Sequence, residues 1–345
     1  MRAVAVILIC AAAWVVGWTT QRSAPAGFDF IAIYASARLV ATGQWGSVTD
    51  PDAILAMEHA TLPERTILLR NPNPPALSLI LAPLGALPFD VAFAVMLTLG
   101  VAALTASAFL LAPLAHADQR ARLLPFALLA PPSLIALAEG QTTPFVLLAI
   151  AGSLRAPPRV SGALLGLVAF RPQLIALFAV VVLADARRRL PFLAVVLAIA
   201  AVSILMVGVE GLARYPELLG PAAAELGPGE LGMPALLRRV GIGGADGALA
   251  NIVLSAIASV VAAIAVLRTA EDRRTVVAAP ATLLSAPHAL LHDAVFAYPA
   301  IPERATSMRA TFAWVLSGLV VVLVHQAGVP IAPLWLLALL LWRRS

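Results

Sequence analysis

The chain has 345 residues, of which 61% are hydrophobic and 12% are charged, and its mean hydropathy is +0.95. Soluble domains are about 45–50% apolar and about 25% charged, so this composition excludes an ordinary soluble enzyme and predicts a multi-pass membrane protein. The single cysteine, Cys10, excludes an intrachain disulfide framework. The net charge of +5 comes from arginines that are scattered in short loops. This distribution is typical of residues that determine membrane topology and does not indicate nucleic-acid binding.

The first predicted element is the apolar run Ala3–Trp18, which follows Arg2. Ala24-Pro25-Ala26 fits the small-residue pattern of a signal-peptide cleavage site, so the run could be a removable leader. We favour an uncleaved anchor, because the remaining chain is itself membrane-bound.

Residues 19–73 form the longest polar interval, and its first predicted helix is Phe28–Ala41. Asp29 lies near the start of this helix and Gly43 lies just past its end. The Asp29 carboxylate could cap the helix by accepting hydrogen bonds from its first N–H groups. It could instead act as a general base on an acceptor hydroxyl. Spacing alone favours the cap.

A second short helix is predicted at Asp50–Ala60. Asp50-Pro51-Asp52 has the Asp-x-Asp spacing that holds a divalent metal in many sugar transferases. Proline at the first helical position, with acids near the positive end of the helix dipole, favours a helix start instead. Both helices of this interval are expected to lie at the membrane surface.

After residue 73 the chain consists largely of apolar runs, and its length leaves room for about ten to eleven crossings. We expect one integral membrane domain, 1–345, in which 210–248 is a second polar interval. The runs, in chain order, are Pro74–Leu87, Val91–Leu114, Ala121–Ala138, Thr142–Leu154, Val160–Ala184, Leu190–Val209, Ala250–Leu267, Val276–Leu291, Met308–Leu323 and Ile331–Trp342.

Arginine clusters set the expected orientation. The positive-inside rule puts Arg187-Arg188-Arg189 and the later clusters in the cytoplasm. Five runs separate residues 19–73 from this cluster, so that interval and residues 210–248 are expected on the periplasmic side. The same count puts Arg155 and Arg159 outside, against the rule.

Two polar interruptions fall within the apolar runs. Arg171 lies about twelve residues into its run, where an ionisable group usually faces a cavity or an ion-pair partner. Its planar fork of donors suits a phosphate, and the alternative is a structural ion pair, for instance with Glu139. Gly140-Gln141 marks either a tight turn or a broken helix, where Gln141 would contact a ligand.

Near the end of the chain, His288 and His292 lie four residues apart, which is one face of a helix. Zinc binding would need a further ligand that the sequence does not show, so these side chains are expected to face a polar cavity.

Five motifs recur in this order in one known family: Phe28-Asp29-Phe30 with Tyr34, Ala37 and Gly43; Asn73-Pro74-Pro75 with Ala82-Pro83-Leu84; Gly140-Gln141; Arg171-Pro172; and Ser285-Ala286-Pro287 with His292-Asp293. Together they resemble glycosyltransferase family 87, a bacterial branch of the GT-C superfamily. Many members have Lys-Pro where this chain has Arg171-Pro172.

The resemblance implies an all-α GT-C bundle in the bacterial inner membrane, with the active site facing the periplasm. A hexosyl group, mannosyl in the best-known members, would pass from a polyprenyl-phosphate-sugar to a lipid or glycan acceptor with inversion. No nucleotide, metal or other cofactor is expected. Asp29 would be the base, Arg171 and His292 would contact the donor phosphate, and Gln141 and Tyr34 would contact substrate.

Two other classes remain open at this point. A transporter or lipid flippase could line its path with Arg171 and Glu139, although the sequence shows no pseudo-symmetry between its halves. An inactive scaffold of an envelope-assembly complex is the other.

Overall fold

The computed structural model describes residues 29–64, 69–115, 117, 120–224, 232, 248–286 and 289–301. These residues form helices joined by short connections, which confirms the all-α prediction for this part of the chain. Several predictions lie outside the described residues: the anchor Ala3–Trp18, residues 225–231 and 233–247 of the second polar interval, His288, and the last two crossings, Met308–Leu323 and Ile331–Trp342.

The α-helices are α1 (Phe30–Ala41), α2 (Pro51–Thr61), α3 (Pro75–Gly85), α4 (Phe89–Leu111), α5 (Arg120–Leu129), α6 (Pro131–Ala138), α7 (Thr143–Ser153), α8 (Pro158–Gly166), α9 (Ala176–Leu183), α10 (Ala186–Ala224), α11 (Ala248–Leu267) and α12 (Arg274–Ser285). Short 3-10 helices cover Trp45–Thr49, Ala112–Leu114, Leu167–Phe170, Pro172–Leu174, Glu271–Arg273 and Leu291–Ala300.

The chain divides into two compact units. The first contains the described residues of 29–102, 134–142 and 196–222. The second contains those of 103–133, 143–195 and 223–301.

Two helical stretches among the described residues are long and apolar enough to cross a membrane. They are Phe89–Leu114, with 26 residues, and Ala186–Tyr215, with 30 residues. At about 1.5 Å per residue, each exceeds the roughly 30 Å of a hydrocarbon core. The total of ten to eleven crossings stays a prediction.

Several predicted crossings are broken where the backbone lacks a donor or leaves helical angles. The run Ala121–Ala138 ends one helix at Leu129 and begins another at Pro131, because proline has no N–H to continue the first. The run Val160–Ala184 breaks at Arg171, whose φ of −123° and ψ of 76° are not helical.

At the second polar interval, α10 (Ala186–Ala224) consists of two helices joined by a kink at Gly208. Gly208 has φ 69° and ψ −180°, which is not helical and which glycine adopts readily. The kink lies one residue before the predicted end of the run at Val209, and the residues that follow it are helical up to Ala224.

Helix α1 forms part of the core of the first unit. Ten of its twelve residues are buried within the protein, and its expected position at the membrane surface stays a prediction. It is apolar on all sides, which is the pattern of an enclosed helix. Gly85 of α3 allows the closest approach, because a Cβ there would lie 2.4 Å from the Ala37 carbonyl carbon.

Helix α2 begins as the sequence predicts. The Asp50 side chain accepts a hydrogen bond from the Asp52 backbone N–H at 3.0 Å, and Pro51 occupies the first turn. Arg214 lies 3.7 Å from the same Asp50 carboxylate. The helix-start interpretation of Asp50-Pro51-Asp52 is therefore confirmed.

Candidate active site

A tight helix end fixes the position of Gln141. At the end of α6, the Gln141 N–H donates to the Ala136 carbonyl at 2.8 Å and the Gly140 N–H donates to the Leu137 carbonyl at 3.1 Å. This pair of bonds is a Schellman motif, which needs the left-handed conformation that Gly140 adopts with φ +60°. The Gly-Gln motif thus ends α6 and fixes the position of the Gln141 backbone.

Asp29 sits at the N-cap position of α1, yet its side chain makes no capping hydrogen bond there. Its own backbone is already helical, with φ −63° and ψ −15°. Its carboxylate Oδ2 instead accepts a hydrogen bond from the side-chain amide Nε2 of Gln141. The preference for a cap, drawn from spacing, is therefore wrong, and Asp29 and Gln141 form one partly buried pair in the first unit.

Phe30 connects this pair to the core. A Cβ at Gly140 would lie 2.8 Å from the Phe30 Cβ, so Gly140 packs directly against the Phe30 side chain. The Phe30 ring packs against Phe89 and Phe93 at centroid distances of 5.4 and 5.2 Å. Because Phe30 follows Asp29 in the chain, these aromatic contacts fix the position of the Asp29 backbone, from which its side chain extends.

Tyr34 lies one turn further along α1, where its contacts are with the protein. Its hydroxyl donates to the Leu87 carbonyl at 2.7 Å, and its ring meets Phe89 edge-on at 5.3 Å. Burial raises the pKa of the Tyr34 hydroxyl, and the neighbouring Arg38 opposes this effect. These contacts attach α1 to the connection between α3 and α4. A role in substrate binding stays a prediction.

Arg171 is buried in the second unit and faces polar side chains. Its Nη2 donates to the Thr143 hydroxyl at 3.0 Å, and its Nη1 lies 3.7 Å from Asp293 Oδ1. Thr143 Oγ1 lies 3.4 Å from the same carboxylate oxygen. The structure thus supplies Asp293 as an anionic partner for Arg171, 122 positions away along the chain.

His292 belongs to the same group as Asp293. Its Nε2 lies 3.6 Å from Asp293 Oδ1, and both side chains are almost fully buried. Asp293 Oδ2 also accepts from the Leu290 N–H at 3.0 Å, which starts the 3-10 helix that carries both residues. Helix α12 ends before this point, at Ser285, so His292 does not lie on that helix; His288 lies outside the described residues.

Comparison with known proteins identifies the family. The model of glycosyltransferase family 87 matches residues 71–293, about two thirds of the chain. The chain belongs to glycosyltransferase family 87. It is therefore a membrane glycosyltransferase, and the membership gives no support to the transporter alternative. No curated protein and no solved structure matches the chain.

The family 87 match covers most of the candidate residues, including Gln141, Arg171 and His292. Asp29 precedes the matched range, so its assignment depends on its hydrogen bond to Gln141. Thr143, which bonds Arg171, belongs to none of the motifs of the sequence. Its closeness in sequence to Gln141 could have indicated it, because only Thr142 separates the two residues.

Each of the two groups has its own chemistry. In the first unit, the Asp29 carboxylate receives an amide hydrogen bond and keeps further lone pairs that could accept a proton. In the second unit, Arg171 is held by a hydroxyl and a carboxylate, and its guanidinium has five N–H donors in total.

Proposed function

We propose that this family 87 member moves a hexosyl group from a polyprenyl-phosphate-sugar to a lipid or glycan acceptor, with Asp29 as general base. The observation that carries the proposal is the hydrogen bond between Asp29 and Gln141. Because of this hydrogen bond, the Asp29 carboxylate does not cap its own helix. The bond also connects Asp29, in the first loop, to the Gly-Gln motif of the region that matches the family.

The reaction requires one displacement. The acceptor hydroxyl loses its proton to the Asp29 carboxylate while its oxygen attacks the anomeric carbon, and the bond from that carbon to the phosphate oxygen breaks. The anomeric centre inverts, and polyprenyl phosphate leaves with the bonding electrons. A positioned base contributes about 10²–10⁴-fold to such a step.

Arg171 is the proposed cation for the leaving phosphate, whose charge grows as the bond breaks. The Arg171 guanidinium is oriented by Thr143 and Asp293, so it does not have to reorganise during the reaction. Fixed donors of this kind are most effective in a site that excludes water. His292, held beside Asp293, is the proposed second contact to the phosphate.

The proposal also assigns the site to the periplasmic face of the inner membrane. Helix α10 starts at Arg187-Arg188-Arg189, which the positive-inside rule assigns to the cytoplasm. Val207 lies 18 residues beyond Arg189, which is about 27 Å along a helix and close to the thickness of the bilayer core.

Residues of α10 beyond that point contact the first loop. Arg214 lies 3.7 Å from Asp50, and the Tyr215 hydroxyl donates to the Pro72 carbonyl. Within the first unit, these contacts join the first loop to the residues that follow the apolar stretch of α10, and this supports a first loop on the side of the membrane where that stretch ends.

The test uses the purified full-length protein with radiolabelled polyprenyl-phosphate-mannose or polyprenyl-phosphate-glucose and an extract of envelope lipids and glycans. Transfer of label to an acceptor supports the proposal, and GDP-mannose in place of the lipid donor serves as the control. Transfer from the nucleotide sugar alone would refute the donor class. Movement of the lipid donor across a vesicle without transfer would refute the enzyme.

A further inference from the structure

Helix α8 and the first turns of α10 run side by side in the second unit, in the same direction. A Cβ at Gly162 would lie 2.3 Å from the Arg188 carbonyl oxygen. A Cβ at Gly166 would lie 2.8 Å from the Val195 Cβ and 3.0 Å from the Phe192 carbonyl oxygen. Moving one turn along α8 therefore moves the contact forward along α10, so these segments are parallel.

Parallel packing requires the chain between them to double back. Residues 167–185 leave the far end of α8 and must return to the end where α10 begins. Arg171 is the point where this segment leaves helical angles, and Pro172 directly follows it. Helix α9 (Ala176–Leu183) then provides the return path. The run Val160–Ala184 is thus a helical hairpin with Arg171 near its tip, rather than a crossing.

The hairpin brings two arginine clusters to one end of the second unit. Arg155 and Arg159 stand in the connection into α8 and its first turn, and Arg187 and Arg189 stand in the first turn of α10; all four are exposed. Asp185 is the one acid in these connections. It accepts from the Arg187 backbone N–H at 2.9 Å and pairs with Arg188 at 2.8 Å.

An exposed apolar face begins where the arginines end. Leu190, Leu193 and Leu197 lie on one side of α10 and are 76%, 43% and 64% exposed. Basic side chains followed along a helix by an exposed apolar stripe suit the boundary between lipid headgroups and acyl chains.

We propose that Arg155, Arg159, Arg187 and Arg189, here called the arginine patch, bind anionic phospholipid headgroups on one face of the membrane. The hairpin enters the bilayer from that face and returns to it. The sequence-based expectation put Arg155 and Arg159 on the opposite side from Arg187, and the proposal replaces it. With the hairpin, the periplasmic assignment of Asp29 no longer rests on the count of runs and depends on the contacts of α10 with the first loop.

Cysteine accessibility tests the hairpin in cells. Ala156→Cys and Ala186→Cys are made separately in a Cys10→Ser background, so neither changes the charge of the patch. An impermeant maleimide is applied to intact spheroplasts and, separately, to inverted vesicles. The proposal requires both cysteines to label in the same preparation, and labelling from opposite sides would overturn the hairpin.

Lipid binding is measured on the full-length protein in a non-ionic detergent. The probes are phosphatidylglycerol and phosphatidylcholine with identical fluorescent acyl chains. Replacing all four patch residues with glutamine should weaken phosphatidylglycerol binding at least about tenfold, because each basic residue near an anionic surface adds substantially to affinity. Phosphatidylcholine binding should not change.

Arg188 stays in this variant, because its ion pair with Asp185 and its backbone contact with Gly162 support the fold. Arg268→Gln, which removes an exposed arginine at the end of α11, is the matched control and should bind phosphatidylglycerol normally. Unchanged phosphatidylglycerol binding in the four-residue variant would overturn the docking proposal. Competition by inorganic phosphate at millimolar concentration would also overturn it, because the patch would then be a phosphate site rather than a lipid surface.

Discussion

Gly140→Ala is the sharpest structural test of how Asp29 is held. A methyl group at Gly140 would lie 2.8 Å from the Phe30 Cβ, against the ~3.4 Å at which ordinary van der Waals contact begins. To relieve this contact, the backbone at Gly140 or at Phe30 must move by about 0.6 Å. Because Phe30 is covalently bonded to Asp29, a shift of Phe30 moves Asp29 as well. The left-handed φ of +60° adds about 1–2 kcal/mol of strain for alanine.

Together these effects should cost about 2–5 kcal/mol of stability, since overpacking alone costs about 1–3 kcal/mol. Activity should fall more than stability suggests. Displacement of a reacting group by about 1 Å can cost about 10²-fold, so a shift of part of that distance should reduce sugar transfer by about tenfold or more.

Two other glycines of the first loop separate the causes. Gly43 has φ +82° with nothing within 4 Å of a Cβ, so Gly43→Ala introduces the strain without the contact. Gly46 has open space, so Gly46→Ala introduces neither. Thermal unfolding in detergent and initial rates of transfer are measured for all three variants. Equal rates for Gly140→Ala and Gly43→Ala would refute the argument that the Phe30 contact positions Asp29.

Three further predictions concern the other candidate residues. Gln141→Leu should lower kcat by about tenfold to a hundredfold with an almost unchanged KM for the donor, because it releases Asp29; a raised KM at constant kcat would make Gln141 a substrate ligand instead. Arg171→Lys should keep the rate of transfer within about tenfold of the unmodified protein, because it keeps the positive charge. Arg171→Met should reduce kcat/KM at least about 10²-fold, because it removes the charge and leaves Asp293 without the guanidinium beside it. Equal rates for the two variants would contradict a role for the charge. Tyr34→Phe should cost about 1 kcal/mol of stability with no change in the KM for the donor, because the Tyr34 hydroxyl bonds a backbone carbonyl. A raised KM would show instead that Tyr34 contacts the substrate.

Local signals in the sequence were sufficient for the first-loop helices. Gly43 ends α1 with a positive φ, and Asp50-Pro51 starts α2 with a side-chain cap. These features depend on neighbouring residues alone, and the residue types that satisfy them are few. Gln141 and Arg171 are recognisable in the sequence as polar interruptions of apolar runs.

The pairings within the site could not be read from spacing. Asp29 was expected to bond its own helix, but its partner is 112 positions away, and the choice depends on where the end of α6 directs Gln141. The Asp293 partner of Arg171 is similarly remote. Such contacts are selected by the tertiary packing that brings the segments together.

Apolar length does not by itself identify a crossing, for a related physical reason. A bilayer and a protein interior both favour apolar residues, so a long run cannot distinguish a crossing from two packed halves. The run that contains Arg171-Pro172 illustrates this, because Gly162 and Gly166 pack against α10 and the backbone leaves helical angles at Arg171. Helix α1 is likewise apolar and is largely buried within the protein.

Asp29→Asn tests the central claim most directly. Asparagine keeps the size of the side chain and an oxygen that can still accept from Gln141, but it cannot take a proton at the pH of the reaction. Asp52→Asn on α2, an exposed acid of the same loop, is the control. With a polyprenyl-phosphate-sugar donor, Asp29→Asn should reduce the transfer rate at least about 10²-fold while Asp52→Asn stays near the unmodified protein. Near-normal turnover by Asp29→Asn would contradict the assignment of Asp29 as the base.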